Sequence, residues 1–344
     1  MHAIAIGSIR ERANTMSRTA PLPRRSIRAR LPVFAAPMFL VSGVDLVIAA
    51  CRAGVIGAFP THNARTAPEL ERWMQQIVAA LEQAHRERPE AIIAPWCANV
   101  VTHSTNTRLA EDLALVAKYQ PPIVVTALGG PKPVMAVVRS YGGIVIADVV
   151  NMALARKAIA AGVDGLACIS AGAGGHTGFL SPFAFIAAVR AIFSGLIVVG
   201  GAIGDGHAIA GAIAAGADFV YMGTRFIPTV ESIAVPAFKQ MIVDSTIDDL
   251  VVSAAITGAP VSWLKPSLRA FGLDPDQLQP QTGRSYDASD DGPRRWKDLW
   301  PAGQGLDTSK AILPVASIVA QLEREYQAAL RAIAARVGAA NQGT

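Results

Sequence analysis

The sequence predicts a (β/α)8 barrel, an α/β fold in which eight parallel strands alternate with helices. Short apolar runs alternate with helical patterns eight times between residues 31 and 222. The runs are apolar almost throughout, as expected for parallel strands that are covered on both faces. An internal repeat, Ala158–Asp164 (AIAAGVD) and Ala212–Asp218 (AIAAGAD), indicates a repeated helix–turn–strand unit. Eight such units in succession favour a barrel over a doubly wound sheet.

The predicted strands are bounded by turn and helix signals. Helical patterns at 44–53, 68–88, 152–161 and 206–215 each precede such a strand, and glycine at 54, 162 and 216 marks helix ends. The eight strands are Leu31–Ala36, Val55–Phe59, Ala91–Val101, Pro122–Leu128, Gly143–Val149, Gly165–Ser170, Leu196–Val199 and Phe219–Met222.

Four segments are expected along the chain. Residues 1–30 carry seven arginines and one glutamate, and we expect a disordered basic leader there. Residues 31–246 form the barrel. Residues 247–312 are rich in proline and break the strand–helix rhythm, which predicts an inserted, partly helical lid. Residues 313–337 have helical periodicity and are expected to form a closing helix on the barrel.

Composition excludes several classes of function. The net charge of +5 is concentrated in the leader, so the folded part has no basic character and no nucleic-acid partner is expected. Neither a signal-peptide core nor a run of 18 apolar residues is present, so we expect no membrane partner and a cytoplasmic location. Three separated cysteines without a CxxC motif indicate neither a disulfide framework nor a zinc site.

The most unusual stretch is the glycine-rich loop Ala171–Gly178 (AGAGGHTG), which follows the sixth predicted strand. Its glycines allow the backbone to approach a ligand closely. His176 is the only side chain of this loop that titrates near neutral pH. A loop of this kind at the carboxyl end of a barrel strand indicates an active site.

The loops after the seventh and eighth strands predict an anion pocket. They read Gly200-Gly201-Ala202 and Gly223-Thr224, and they supply backbone N–H donors and one hydroxyl. The helix that begins near Gly206 adds a helix N-terminus, which favours anions. No G-x-G-x-x-G fingerprint and no Walker A motif is present, so the pocket is expected to hold a single phosphate group rather than a dinucleotide or a P-loop nucleotide.

These residues resemble the nitronate monooxygenase family of FMN-dependent barrels. The resemblance rests on the segments Ala36–Met38, Ser170–His176, Gly200–Ile203 and Met222–Phe226, with Asn99, Trp296–Trp300 and Gly303–Gly305. It covers residues 30 to 335 approximately. Related reductases of the same superfamily share most of these motifs.

The resemblance implies a role for each matching residue. Pro37 and Met38 would lie against the flavin ring, and Asn99 would hydrogen-bond to it. Gly174 and Gly175 would line the ribityl chain, and Gly201, Gly223 and Thr224 would hold the phosphate. Ala36 and Gly200, which adjoin these residues, are further cofactor-binding candidates. His176 would be the catalytic residue beside the substrate. Asp148, at the end of the fifth strand, faces either this site or a backbone partner, and we assign it to the site.

The implied activity is the FMN-dependent oxidation of alkyl nitronates by O2 to a carbonyl compound and nitrite. The expected partners are the small nitronate or nitroalkane and O2, and a homodimer remains open. One alternative is an FMN- and NAD(P)H-dependent reductase of the enoyl-acyl-carrier-protein or quinone type. Another, of a different class, is a flavin-binding sensor without turnover, although a binder has no need of a titratable His176.

Overall fold

The computed structural model describes residues 27–278 and 296–341, and the predicted leader lies almost wholly outside this range. The strands in this part of the chain are β1 (Val33–Ala35), β2 (Ile56–Pro60), β3 (Trp96–Val101), β4 (Ile123–Ala127), β5 (Ile144–Val149), β6 (Gly165–Ile169), β7 (Gly175–His176), β8 (Leu196–Gly200), β9 (Phe219–Met222), β10 (Leu250–Ser253) and β11 (Val261–Leu264).

Eight of these strands form a closed parallel barrel in the order β1-β2-β3-β4-β5-β6-β8-β9, and β9 returns to pair with β1. The predicted (β/α)8 barrel is therefore confirmed. The third strand begins five residues later than expected, at Trp96, because Pro95 has no N–H to donate to the ladder. Its pairing with β2 starts at Trp96 opposite Gly57.

The helices in the described residues are α1 (Val44–Ala53), α2 (Ala67–Glu87), α3 (Leu109–Tyr119), α4 (Lys132–Ser140), α5 (Met152–Ala160), α6 (Pro182–Arg190), α7 (Gly206–Ala214), α8 (Pro236–Asp244), α9 (Lys265–Ala270) and α10 (Val315–Asn341). Helices α1 to α7 and α10 cover the outside of the barrel, whereas α9 packs against β11. The long α10 packs between α7 and α1, where the last helix of an eightfold barrel belongs. Among the residues described, no helix combines the length and the apolar character that a membrane span requires.

The internal repeat has a structural explanation. Asp164 and Asp218 both stand just before a strand, and each accepts a hydrogen bond from the first residues of the preceding strand. Asp164 Oδ2 accepts from Val145 N at 2.9 Å, and Asp218 Oδ2 accepts from Ile197 N at 2.9 Å. The repeated aspartate therefore fixes the start of two neighbouring pairs of barrel strands.

The region predicted as a lid contains a small antiparallel sheet. Strands β10 and β11 pair with each other, and β11 pairs in turn with β7, which contains His176. Buried Trp263 and Leu268 pack with Leu299 beneath this sheet. Residues 279–295 of the predicted lid lie outside the described residues.

Candidate active site

A cavity of about 1070 Å3 opens at the carboxyl ends of the barrel strands. All twelve residues proposed from the sequence for catalysis or cofactor binding line it: Ala36, Pro37, Met38, Asn99, Asp148, Gly174, Gly175, His176, Gly200, Gly201, Gly223 and Thr224. The structure thus brings them to one place, while their individual roles remain predictions.

The floor of this cavity is a layer of the barrel interior. Four buried side chains fill the barrel interior just below the cavity: Phe34, Cys97, Ile146 and Val198. Side chains of a strand alternate between its two faces, so the residue two positions after each of these also faces the interior and forms the floor. Four alternate strands contribute one floor residue each, as in the side-chain layers of such barrels. They are Ala36, Asn99, Asp148 and Gly200.

Three polar atoms at this floor are buried and have no hydrogen-bond partner in the described part of the chain. They are Asn99 Nδ2, Asp148 Oδ1 and Tyr221 OH. Buried polar groups without partners are costly. A ligand with both donors and acceptors along its edge, such as a flavin ring, would reduce this cost. The floor therefore fits a flavin, with small Ala36 and Gly200 leaving space above the remaining two strands.

Burial also changes the acidity of the floor. It raises the pKa of Asp148 to about 7, far above the ordinary value for aspartate. Burial raises the pKa of Tyr221 well above its ordinary value, and the negative charge of Asp148 adds to that shift. At neutral pH the floor therefore holds a neutral phenol beside a carboxyl group close to its titration point.

The loop that carries His176 is held from two sides. Its backbone pairs with Val261 as part of the small sheet. On the other side, the centroid of the Trp296 ring lies 5.3 Å from that of the His176 ring. The Trp263 ring lies at the same distance from Trp296, with the two indole planes inclined by 32°. Gly174 is required by packing, because a Cβ there would lie 2.7 Å from the backbone nitrogen of Gly303.

The predicted phosphate loops are joined to the segment that returns from the lid region. Thr224 Oγ1 accepts a hydrogen bond from Gly303 N at 2.8 Å, which leaves the hydroxyl proton of Thr224 available to donate. Gly201 has φ +134°, and a Cβ there would meet Ala171 O at 2.5 Å. Glycine at position 201 is thus needed for the close approach of the loop after β8 to the loop after β6.

The loop with Pro37 and Met38 is fixed by a buried asparagine. Asn63 Nδ2 donates to Met38 O at 2.9 Å and to Ser42 O at 2.8 Å, while its Oδ1 accepts from Leu40 N. Leu40 has φ +60°, a conformation that this clamp stabilises. The wall beside the predicted flavin ring is therefore rigid.

Sequence reasoning missed several polar residues of the cavity, among them His62 and Tyr221. From the sequence alone His62 is predicted to be a surface residue. The structure instead places it against the cavity, in the turn after β2, and its Nδ1 is buried without a partner in the described residues. Burial lowers the pKa of His62, so the ring is neutral at pH 7. Tyr221 was assigned only to a buried strand. Its position in β9, two residues before Gly223 at the phosphate loop, was the available signal.

The chain is similar in sequence to proteins of one known family. The family described as nitronate monooxygenase matches residues 24–325. A nitronate monooxygenase of Paraburkholderia phytofirmans is 27% identical over 340 residues, which cover 86% of this chain and 92% of that protein. A probable nitronate monooxygenase of Staphylococcus haemolyticus is 25% identical and covers 74% of each chain.

Two solved structures show the same fold. FabK from Thermotoga maritima superposes with a TM-score of 0.71 at 22% identity, covering 90% of this chain and 96% of its own. A nitroalkane oxidase from Streptomyces ansochromogenes superposes with a TM-score of 0.71 at 24% identity, covering 88% and 98%. Because the family match extends over most of the sequence and the barrel carries the expected loops, this chain belongs to the nitronate monooxygenase family of flavin-dependent oxidoreductases.

Proposed function

We propose that this protein is an FMN-dependent nitronate monooxygenase, which oxidises alkyl nitronates with O2 to a carbonyl compound and nitrite. The observation that carries the proposal is the convergence of His176, the polar floor and the phosphate loops on one cavity. A titratable side chain that faces a cofactor floor suits an enzyme better than a binding protein.

The choice of FMN rests on the predicted anion pocket. Backbone N–H groups of the loops at Gly201 and Gly223, together with the Thr224 hydroxyl, would hold one terminal phosphate. Asn99 would donate to a carbonyl oxygen of the flavin ring, and Met38 would pack against its face. The sequence contains no G-x-G-x-x-G fingerprint, the motif that binds the pyrophosphate of a dinucleotide.

A bound flavin would supply the electron transfer between substrate and O2. His176 would act on the substrate itself. Toward a nitronate, which is already deprotonated, the imidazole donates a hydrogen bond to a nitro oxygen and stabilises the charge there. Toward a neutral nitroalkane, the same ring can accept the α-proton as a general base.

The aromatic cover supports this role. Trp296 lies against His176 and Trp263 lies behind it, so one side of the imidazole is shielded by apolar rings. A hydrogen bond to a charged oxygen is stronger where water is excluded. The two tryptophans therefore orient the imidazole and strengthen its hydrogen bond to the nitro oxygen.

The decisive experiment mixes the purified yellow protein anaerobically with propionate 3-nitronate and, separately, with NADH. We expect the nitronate to change the flavin absorbance within the time of turnover and NADH to leave it unchanged. On readmission of air, nitrite should form in proportion to nitronate. If NADH alone bleached the flavin, the reductase alternative would replace the proposal. A flavin that responds to neither would favour the sensor.

A further inference from the structure

We propose that Asp148 is a redox-coupled proton site beneath the flavin: its carboxylate takes up a proton when the flavin is reduced and releases it on reoxidation. The inference rests on the proposed flavin site, but it does not depend on the identity of the substrate. It assigns to Asp148 a function beyond contact with the cofactor.

The position of Asp148 carries the first step. It ends β5 in the floor layer, where it points into the barrel rather than toward the covering helices. Its Oδ1 is shielded from solvent and accepts no hydrogen bond from any described residue. A charge in this position is not neutralised by a salt bridge among those residues, so it is sensitive to any charge placed above it.

The neighbouring groups carry the second step. Two titratable side chains of the barrel interior, Cys97 and Tyr221, respond to the charge of Asp148, and so does Cys168 on the helix-facing side of β6. The pKa of each is raised, mainly by burial. None of these three groups is a cation that could stabilise the charged form of Asp148. Among the described residues, the other titratable side chains that line the cavity are His62, His176 and Lys157. Asp148 is thus the acid of the floor that can exchange a proton near pH 7.

The balance of charge carries the third step. Reduction by an external donor such as dithionite brings two electrons to the ring above the floor. Where one accompanying proton binds to the flavin, one negative charge remains uncompensated next to Asp148. Two like charges at short distance raise the pKa of the carboxylate, so Asp148 takes a proton from solvent and the second charge is balanced. Reoxidation reverses both transfers.

The test is the pH dependence of the flavin midpoint potential in the holoenzyme, measured against redox dyes between pH 5.5 and 8.5. A proton that Asp148 gains on reduction changes the equilibrium tenfold per pH unit, or about 30 mV for two electrons. In the wild type, the plot of midpoint potential against pH should therefore show a break near pH 7: the slope above it should be about 30 mV per pH unit steeper than the slope below it. Asp148→Asn should remove this break.

Tyr221→Phe is the matched control, because it removes a polar atom from the same floor without removing a charge. It should keep the break. If Asp148→Asn shows the wild-type break, or if the wild type shows none, the proton site is not Asp148. Should Asp148→Asn fail to fold, the redox-difference infrared spectrum of the wild type decides. A carboxylic-acid band that appears on reduction at pH 8 and shifts in D2O supports the proposal, and its absence overturns it.

Failure of this proposal is distinguishable from failure of the proposed function. A protein that holds FMN and turns over nitronate, but has no break in its potential, refutes only the role of Asp148. A break in the potential without nitronate turnover refutes only the substrate. A protein that binds no flavin refutes both.

Discussion

The imidazole of His176 and the indole of Trp296 lie 5.3 Å apart, with their planes inclined by 48°. The two residues are 120 positions apart in sequence, and they meet because the chain returns from the lid region to the mouth of the barrel. Trp296 has φ +67°, which is unfavourable for a tryptophan and indicates that local packing holds it there.

This contact predicts that Trp296→Ala lowers kcat/KM for nitronate about tenfold while FMN content stays at the wild-type level. Loss of an aromatic contact costs on the order of 1 kcal/mol, and the imidazole would gain freedom and water. Trp296→Phe should recover most of the activity. Steady-state kinetics on flavin-saturated protein measures both variants, and an unchanged kcat/KM in the alanine variant would remove Trp296 from the site.

The anion pocket predicts that the protein purifies with FMN. Flavin released by heat denaturation should co-migrate with FMN on reversed-phase chromatography, at a ratio close to one per chain. Co-migration with FAD would contradict the single-phosphate pocket formed by the loops at Gly201 and Gly223.

The close packing at Gly174 predicts that Gly174→Ala weakens flavin binding at least about tenfold. The new Cβ would lie 2.7 Å from Gly303 N and 2.9 Å from the carbonyl carbon of Ala302, so the cavity wall must move. Gly130→Ala is the matched control, since Gly130 also lines the cavity but has open space around its Cβ position. Fluorescence titration with FMN compares the two variants, and equal dissociation constants would contradict the account.

The raised pKa of Asp148 predicts a loss of stability with rising pH. Its pKa in the folded protein is about 7, whereas the unfolded chain has the ordinary value near 4. Between these values the folded state binds more protons, so the free energy of unfolding falls as pH rises, by up to about 1.4 kcal/mol per unit. This contribution is complete below pH 4 and is lost by pH 7.

Urea unfolding of the wild type and Asp148→Asn between pH 4 and pH 8 measures this effect. The free energy of unfolding of the asparagine variant, minus that of the wild type, should increase from pH 4 to about pH 7 and then level off. Tyr221→Phe, which changes the same floor but removes no group that titrates between pH 4 and pH 8, should show no such trend. A pH-independent difference for Asp148→Asn would mean that the carboxyl group titrates normally.

The barrel and its floor were accessible from the sequence because their causes are local. Apolar runs, glycine helix ends and the repeated aspartates at 164 and 218 each act within a few residues of the strand that they define. The floor residue Asn99 was assigned through the family resemblance, whereas Asp148 was found because it stands at the end of an apolar run. A polar residue at that place in a barrel faces the site.

The remainder depends on contacts that are distant in sequence. The pairing of β7 with β11 joins His176 to Val261, and no local pattern specifies this register. His62 has polar neighbours, Thr61 and Asn63, a pattern that is typical of a surface turn. These neighbours are buried through hydrogen bonds to Asp112 and to the loop at Met38, which only the folded chain brings together.

The central claim is that His176 acts on the nitro group, and kcat/KM of His176→Ala for propionate 3-nitronate tests it most directly. Help of this kind is worth about 10²- to 10⁴-fold in rate. We predict that the variant retains wild-type FMN content and loses at least about 10²-fold in kcat/KM. A variant that retains FMN and oxidises the nitronate at the wild-type rate would show that His176 is only part of the loop, and the claim would be wrong.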